Sequence, residues 1–272
     1  MTTRLTILCE NSVRPQAGLI GEHGFACHVE RPEGNYLFDT GQGFGIRQNA
    51  VTLKKDLSAI KAILLSHGHY DHTGGLPAVL QQTGPIDIYG HPDLFLERYR
   101  EERFIGIPHR REHLESLGAR FVLSRQMTEV AQGLWLTGEI PRHTEFEQGD
   151  PLMTAVCGGA ASRDELLDDL SLAVDSEKGL ILVLGCAHAG LVNIMEYVLE
   201  QTGRDGFYAI LGGTHLGFAD GDQFEQTLKA LDNYRVEKVG VSHCTGLPKA
   251  AQLQAALGER FFFGSVGSVL EG

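Results

Sequence analysis

Leu64-Leu65-Ser66-His67-Gly68-His69-Tyr70-Asp71-His72-Thr73-Gly74-Gly75 is the stretch on which the reading of this chain turns. It follows an apolar run, Ala59 to Leu65, of the composition of a short buried strand. The run ends in three histidines and an aspartate within six positions, then glycines and an apolar helical pattern. In an extended backbone alternate side chains share a face, so His67 and His69 point the same way. The chain then turns, and Asp71 and His72 project from the turn towards the same space. Neutral imidazoles and a carboxylate are ligands that suit zinc, manganese or iron. Buried together without a cation, they would need polar partners that so short a segment cannot supply. A strand leading into this cluster and a helix leaving it are the context a metal-binding loop requires.

The spacing His67-x-His69-x-Asp71-His72 resembles the signature of the metallo-β-lactamase-fold superfamily, and Phe38-Asp39-Thr40-Gly41 upstream adds to the likeness. The further set Glu22-His23-Gly24, Gly138-Glu139-Ile140-Pro141-Arg142, Gly185-Cys186-Ala187-His188-Ala189-Gly190, Gly212-Gly213-Thr214-His215-Leu216 and Ser242-His243-Cys244-Thr245-Gly246 is similar to one branch of it. That branch is the dihydropterin–ribofuranosylaminobenzene-phosphate synthase-like proteins. The resemblance covers most of the chain and implies an αββα sandwich, two mixed sheets face to face with helices outside. The residues alone say only α/β, from strands alternating with helices.

Length and composition set wide bounds. A chain of 272 residues can bury a large core as one domain or two. We read it as a single domain over 1–272, with no composition break and no repeat of fixed period. A net charge of −12 argues against nucleic acid or an anionic membrane as partner. It still permits a small phosphorylated substrate, because a local pair of metal ions outweighs the global field. No apolar stretch reaches the ~20 residues of a membrane span. Met1 to Ser12 lacks the charged, apolar and small-residue progression of a secretory leader. Five cysteines without framework spacing fit a reducing cytoplasm. A homo-oligomer is compatible with all of this.

Along the chain, Leu5–Cys9, His23–Val29 and Asn35–Asp39 read as strands, with Glu10-Asn11-Ser12 a polar loop that can overhang a site. Asp39 is either a turn residue or, as the resemblance implies, a carboxylate bracing the metal loop from behind. From Asp93 to Arg125 the character changes, with seven arginines, a proline and several aromatics. This reads as a helical excursion near the substrate pocket, its basic groups either meeting an anion or forming a solvated, salt-bridged surface. Arg142 and Thr144 lie on a loop at a strand end. The resemblance makes them substrate-binding candidates together with Asn11, whereas composition alone gives a polar loop.

Three further strands end as the metal strand does, in a turn that carries a histidine: Gly179–Leu184 before His188, Phe207–Leu211 before His215, and Val236–Val241 before His243. Carboxyl ends of strands in layered α/β proteins line one rim, where ligands bind. The expected ligand set is therefore His67, His69 and His188 for one divalent ion and Asp71, His72 and His243 for a second, zinc being the first choice and manganese or iron the others. Three protein ligands per ion leave a position open for water, as catalysis requires. Two ions ~3.5–4 Å apart share a hydroxide and lower its pKa towards ~7. Asp71 and His215 are the catalytic candidates, His215 as a hydrogen-bond donor or proton carrier unless it is simply structural. Many relatives carry a bridging Asp where Cys186 stands here, so Cys186 or Asp168 fills that place or solvent does; Cys186 and Cys244 can equally be small buried residues. The expected function is a binuclear metal-dependent hydrolase of a small, anionic, phosphate-bearing molecule. The alternatives are a synthase joining a pterin diphosphate to an aminobenzene–ribose phosphate and a non-catalytic metal sensor.

Overall fold

The computed structural model describes residues 3–272, so Met1 and Thr2, the first residues of the stretch read for a leader, lie outside the described residues. In chain order the strands begin with β1 (Arg4–Cys9), β2 (Ala26–Arg31), β3 (Gly34–Phe38), β4 (Ile60–Leu64), β5 (Ile86–Gly90) and β6 (Glu97–Arg100). They continue with β7 (Arg103–Phe104), β8 (Ala119–Leu123), β9 (Thr128–Ala131), β10 (Leu134–Leu136), β11 (Met153–Cys157) and β12 (Ala160–Arg163). The last six are β13 (Ser171–Ser176), β14 (Gly179–Leu184), β15 (Ala209–Gly213), β16 (Lys238–Ser242), β17 (Phe261–Phe263) and β18 (Val269–Glu271). The α-helices are α1 (Ile46–Thr52), α2 (Tyr70–Thr73), α3 (Leu76–Thr83), α4 (Arg111–Ser116), α5 (Leu191–Thr202), α6 (Gly221–Asn233) and α7 (Leu247–Leu257).

Two seven-stranded mixed sheets result, ordered β18-β1-β2-β3-β4-β5-β8 and β17-β16-β15-β14-β13-β10-β9. Their facing sides interlock in one apolar cluster that takes Phe25, Val29, Phe38 and Leu64 from the first sheet and Leu172, Val174, Ile181, Val183 and Leu211 from the second. On the outer face of the first sheet, Leu37, Ile63 and Ile88 pack against Ile46 and Ala50 of α1 and Leu76, Val79 and Leu80 of α3. On the outer face of the second, Leu182, Leu184 and Ile210 pack against Ile194, Met195 and Val198 of α5, Leu231 of α6 and Leu253 of α7. The αββα order follows from these three clusters. β14 is apolar on both faces because it is covered on both, and β4 is so apart from the exposed Lys61, which is why both read as apolar runs.

Because β3, β4, β5 and β8 run parallel, as do β14, β15, β16 and β17, their carboxyl ends share edges. α5, α6 and α7 are the crossovers of the second set. α5 is amphipathic, buries Leu191, Ile194, Met195, Val198 and Leu199, and stops at Gly203 in the left-handed region. Asp220 caps α6 by accepting the Gln223 N–H at 2.9 Å.

The segment 93–125 departs from the helical excursion expected of it. It carries one six-residue helix, α4; β8 joins the first sheet, and β6 and β7 belong to a small third sheet ordered β12-β11-β6-β7. Tyr99 pairs with Thr154 and Arg98 with Ala155, partners more than fifty positions away, so the local pattern could not announce the pairing. No helix among the described residues is long and apolar enough to cross a membrane.

Candidate metal centre

The loop after β4 is braced from three sides. Asp39, at the end of β3 with φ 59, accepts the Ser66 N–H at 2.8 Å and the Ser66 hydroxyl at 2.6 Å, and lies 2.7 Å from His72 Nδ1. Its carboxylate thus braces the loop from behind Ser66 and His72, the place the resemblance implied. Asp168 accepts the Gly68 N–H at 2.8 Å with one oxygen and pairs with the fully buried Arg98 at 2.7 Å with the other. Both oxygens have partners and Asp168 is in none of the potential ligand groups; it shapes the loop. Arg98 is held in turn by Asp164 at 2.8 Å. Gly68 must be glycine, because a Cβ there would run into the Leu94 carbonyl and the Arg98 guanidinium.

Within this frame His67, His69 and His188 face one another. Their ring centroids lie 4.5, 4.9 and 5.1 Å apart, and their ligand nitrogens all fall within 4.8 Å of each other. All three residues are buried. Burial, reinforced by neighbouring imidazoles, holds His67 and His188 well below the usual histidine range, and burial takes His69 down to about 3. The three rings are therefore neutral. His69 Nε2 and both nitrogens of His188 have no hydrogen-bond partner among the described residues. Dry, uncharged nitrogen donors left unpartnered are costly unless a cation takes their lone pairs. The donor set fits one divalent ion.

The neighbouring group is built differently. Asp71 Oδ2 lies 3.0 Å from His23 Nε2 and 3.3 Å from His243 Nε2. Burial pushes the Asp71 carboxyl up, but hydrogen bonds from His23 and His243 and the nearby His72 override it and hold the group well below the usual carboxylate range. Between the two groups, His72 Nε2 is 3.3 Å from Cys186 Sγ, and His72, His67 and Cys186 form a third potential ligand set. Burial opposes charge on His72, yet the Asp39 carboxylate lifts it to about 9, so a cation at Nε2 competes with a proton. The Cys186 thiol is pushed up, first by burial. His23 was not among the nominated ligands; it is half exposed and isolated in sequence, and it comes alongside Asp71 because Phe25 N–H donates to the Asp71 carbonyl at 3.2 Å.

The turns that present these groups are strained. Ala187, His215 and His243 have φ of 58, 52 and 52, a region that costs a residue with a Cβ about 1 kcal/mol or more. The cost persists where the surroundings over-determine it. The His243 N–H donates to Glu10 at 2.7 Å, Asn11 Oδ1 stands 3.0 Å from His243 Nδ1, and the His215 N–H meets Cys244 Sγ at 3.3 Å. Asp169, whose carboxyl burial pushes up to about 7, accepts the Ala189 N–H at 2.9 Å and fixes the turn behind His188.

The three substrate-binding candidates have other employment. Asn11 Oδ1 serves His243 and the Gly24 N–H, which makes it a positioning group. Thr144 bonds Glu147 at 2.9 Å and Asn193 at 2.9 Å; Glu147 caps α5 through the Val192 and Asn193 N–H groups. Arg142 donates to the Glu165 carbonyl. Neither Arg142 nor Thr144 lines the cavity over the histidines. That cavity, about 400 Å³, is lined by His23, His69, Asp71, Cys186, His188, His215 and His243 and walled by Tyr70, Arg100, Arg103, Ile105, Met153 and Phe218. A second space of about 300 Å³, bounded by Phe146 to Pro151 and the start of α6, shares Arg100, Asp150, His188, His215 and Phe218 with it. His215 lies on this shared wall, 4.4 Å from the His188 ring and 4.9 Å from Phe218, and burial takes it down to about 4.

Comparison with known proteins gives a consistent picture. The family model described as the metallo-beta-lactamase superfamily matches residues 23–146, the half that holds the metal loop. A Methanocaldococcus jannaschii protein named 7,8-dihydropterin-6-methyl-4-(beta-D-ribofuranosyl)-aminobenzene-5'-phosphate synthase is 34% identical over 220 residues, 77% of this chain and 75% of its own length. An uncharacterized protein of the same organism is 29% identical over 98% of this chain and 99% of its own. Among solved structures, a metal-dependent hydrolase of the beta-lactamase superfamily superposes with a TM-score of 0.86 at 28% identity, covering 99% of both chains.

Proposed function

This chain belongs to the metallo-beta-lactamase superfamily, in the dihydropterin–ribofuranosylaminobenzene-phosphate synthase-like branch, and from that premise we propose that it is a binuclear metal-dependent hydrolase of a small anionic molecule. The observation that carries the reading is the trio His67, His69 and His188, buried and neutral, in which His69 and His188 line the cavity and keep nitrogens without a hydrogen-bond partner among the described residues. These three would hold one ion. Asp71 and His243 would hold the second, with His72 between the two, and His23 and Cys186 are further ligand candidates. Zinc suits this nitrogen-rich set, with manganese or iron as alternatives.

Divalent ions at such a site acidify water and polarise the bond under attack. The chain's own groups supply the rest. His215, neutral and on the cavity wall, is placed to give a hydrogen bond from its ring N–H to an oxygen gaining charge, or to carry a proton to a leaving group. Asp71, kept ionised by His23 and His243, offers Oδ2 to orient a water. Tyr70, Ile105, Met153 and Phe218 keep much of the cavity wall apolar.

A second reading, a synthase joining two substrates, is favoured by the name of the 34% identical relative and by the two adjoining spaces that share His188 and His215. Elemental analysis of purified protein and a screen with phosphodiester, lactone and thioester substrates test the proposal. Two equivalents of a transition metal and turnover in one class support hydrolysis. Metal with no turnover in any class and tight binding of a pterin favour the synthase, and absence of metal overturns both.

A further inference from the structure

Seven arginines lie between residues 93 and 125. Arg98, Arg100, Arg111, Arg120 and Arg125 are each ion-paired, to Asp164 and Asp168, Asp150, Glu115, Asp87, and Asp93 and Glu139. Arg103 and Arg110 are not paired with a carboxylate among the described residues, and of these two Arg103 lines the cavity over the histidine cluster. Its guanidinium lies over the Tyr70 ring, 5.2 Å from the centroid, and donates one N–H to the Tyr70 hydroxyl at 2.9 Å. The rest of its fork meets no acceptor among the described residues, while the Tyr70 hydroxyl, accepting from Arg103, keeps its own proton to donate.

The placement is rigid. Tyr70 stands between His69 and Asp71 in the chain. Its N–H donates to the Ile105 carbonyl at 3.0 Å, and the Ile105 N–H donates to the Arg98 carbonyl at 2.8 Å. The strand carrying Arg103 is thus stitched by its backbone to the metal loop itself. By contrast, the charge of Arg100 on the same wall is met by Asp150 at 2.8 Å.

We propose that Arg103, with Tyr70 beneath it, is the residue that selects the substrate: it clamps a compact oxyanion, a phosphate monoester first of all, on a small molecule whose apolar body lies against Tyr70, Ile105, Met153 and Phe218. The clamp rests on the cavity being the substrate site, as proposed above. A planar fork with free donors beside a hydroxyl matches two oxygens of a phosphate, and in a chain of net charge −12 a cavity cation without a counter-charge is a selective feature.

The test is calorimetric binding of phenyl phosphate, benzoate and benzyl alcohol to metal-loaded protein, for the wild type and for Arg103→Met, Arg103→Lys and Tyr70→Phe. Arg103 is exposed, so the variants should fold, which melting curves check. Arg103→Met should weaken phenyl phosphate by roughly ten- to a hundredfold and benzyl alcohol by less than about twofold. Arg103→Lys should restore part of the loss, as a point charge without the fork, and Tyr70→Phe should cost about threefold. A parallel loss for benzoate supports the same clamp and widens it to carboxylates. Unchanged phenyl phosphate affinity in Arg103→Met, or no saturable binding to the wild type, overturns it. The two readings fail separately: a metal-free chain in which Arg103→Met still weakens phenyl phosphate keeps the clamp and loses the metalloenzyme, and a metal-loaded chain with a silent variant does the reverse.

Discussion

His67, His69 and His188 meet at the rim beside Asp71, His23 and His243, and the two groups are satisfied in opposite ways. In the first, three neutral rings leave His69 Nε2 and both His188 nitrogens without a hydrogen-bond partner among the described residues, while His67 is met by Ser66 and His69 at 2.9 Å each. The second already contains a carboxylate bonded to two imidazoles, at 3.0 and 3.3 Å. One group is incomplete without a cation; the other can stand on its own hydrogen bonds. The lesson is that ligand count does not set affinity, because an ion must displace whatever satisfies the ligands in its absence. The first position should fill at lower metal concentration than the second.

Replacing His188 by Ala probes the first group, and the largest effect belongs there. Bound metal should fall by about one equivalent in elemental analysis, and turnover on the order of a thousandfold, the several kcal/mol a Lewis acid supplies. Unchanged stoichiometry and affinity would remove His188 from the ligand set. Asp71→Asn addresses the second group: the weaker equivalent should be lost while the tighter one stays, read by titration with a metal indicator. Equal loss of both would erase the distinction between the groups.

Asp39→Asn acts on His72 and Ser66 rather than on an ion, and should lower metal affinity about ten- to a hundredfold. A normal affinity would mean that the bracing network is redundant.

His28 supplies the control, a buried imidazole whose two nitrogens also lack partners but which stands alone on β2. Burial takes it down to about 4. In the unfolded chain histidine titrates near 6.5, so on acidification the unfolded state takes up a proton that the folded state refuses, and stability falls as pH drops from about 6.5 towards 4. Between pH 6.5 and 5.5 the share of His28 is about 1 kcal/mol. His28→Leu should flatten the acid limb of a denaturation series by that amount and leave bound metal unchanged. A steeper limb, or lost metal, would show that an isolated buried histidine is not the right reference for the trio.

What could be read beforehand tracks how local each cause is. His67, His69, Asp71 and His72 occupy one turn, so their chemistry shows in six residues. His188, His215 and His243 were legible because each ends a strand of the same parallel set, a rule of topology rather than of composition. His23 was missed as a candidate because its place beside Asp71 comes from a backbone contact between segments nearly fifty residues apart. The place of Asp168 was left open for the same reason: its partner Arg98 lies seventy positions away, and nothing near either residue marks the pair. The part of the third sheet that falls in 93–125 was read as helical because β6 and β7 are four and two residues long and β6 takes its other partner, β11, from long range.

Arg98 has one further consequence. It sits in a strand of the sheet that walls the cavity, while its partner Asp168 grips the backbone between His67 and His69. The wall and the histidine-bearing turn are therefore a single mechanical part, anchored by one cation that water does not reach. Transplanting that wall from a relative to retarget the chemistry would require Arg98, Asp164 and Asp168 to travel together, or the graft would arrive with its anchor cut.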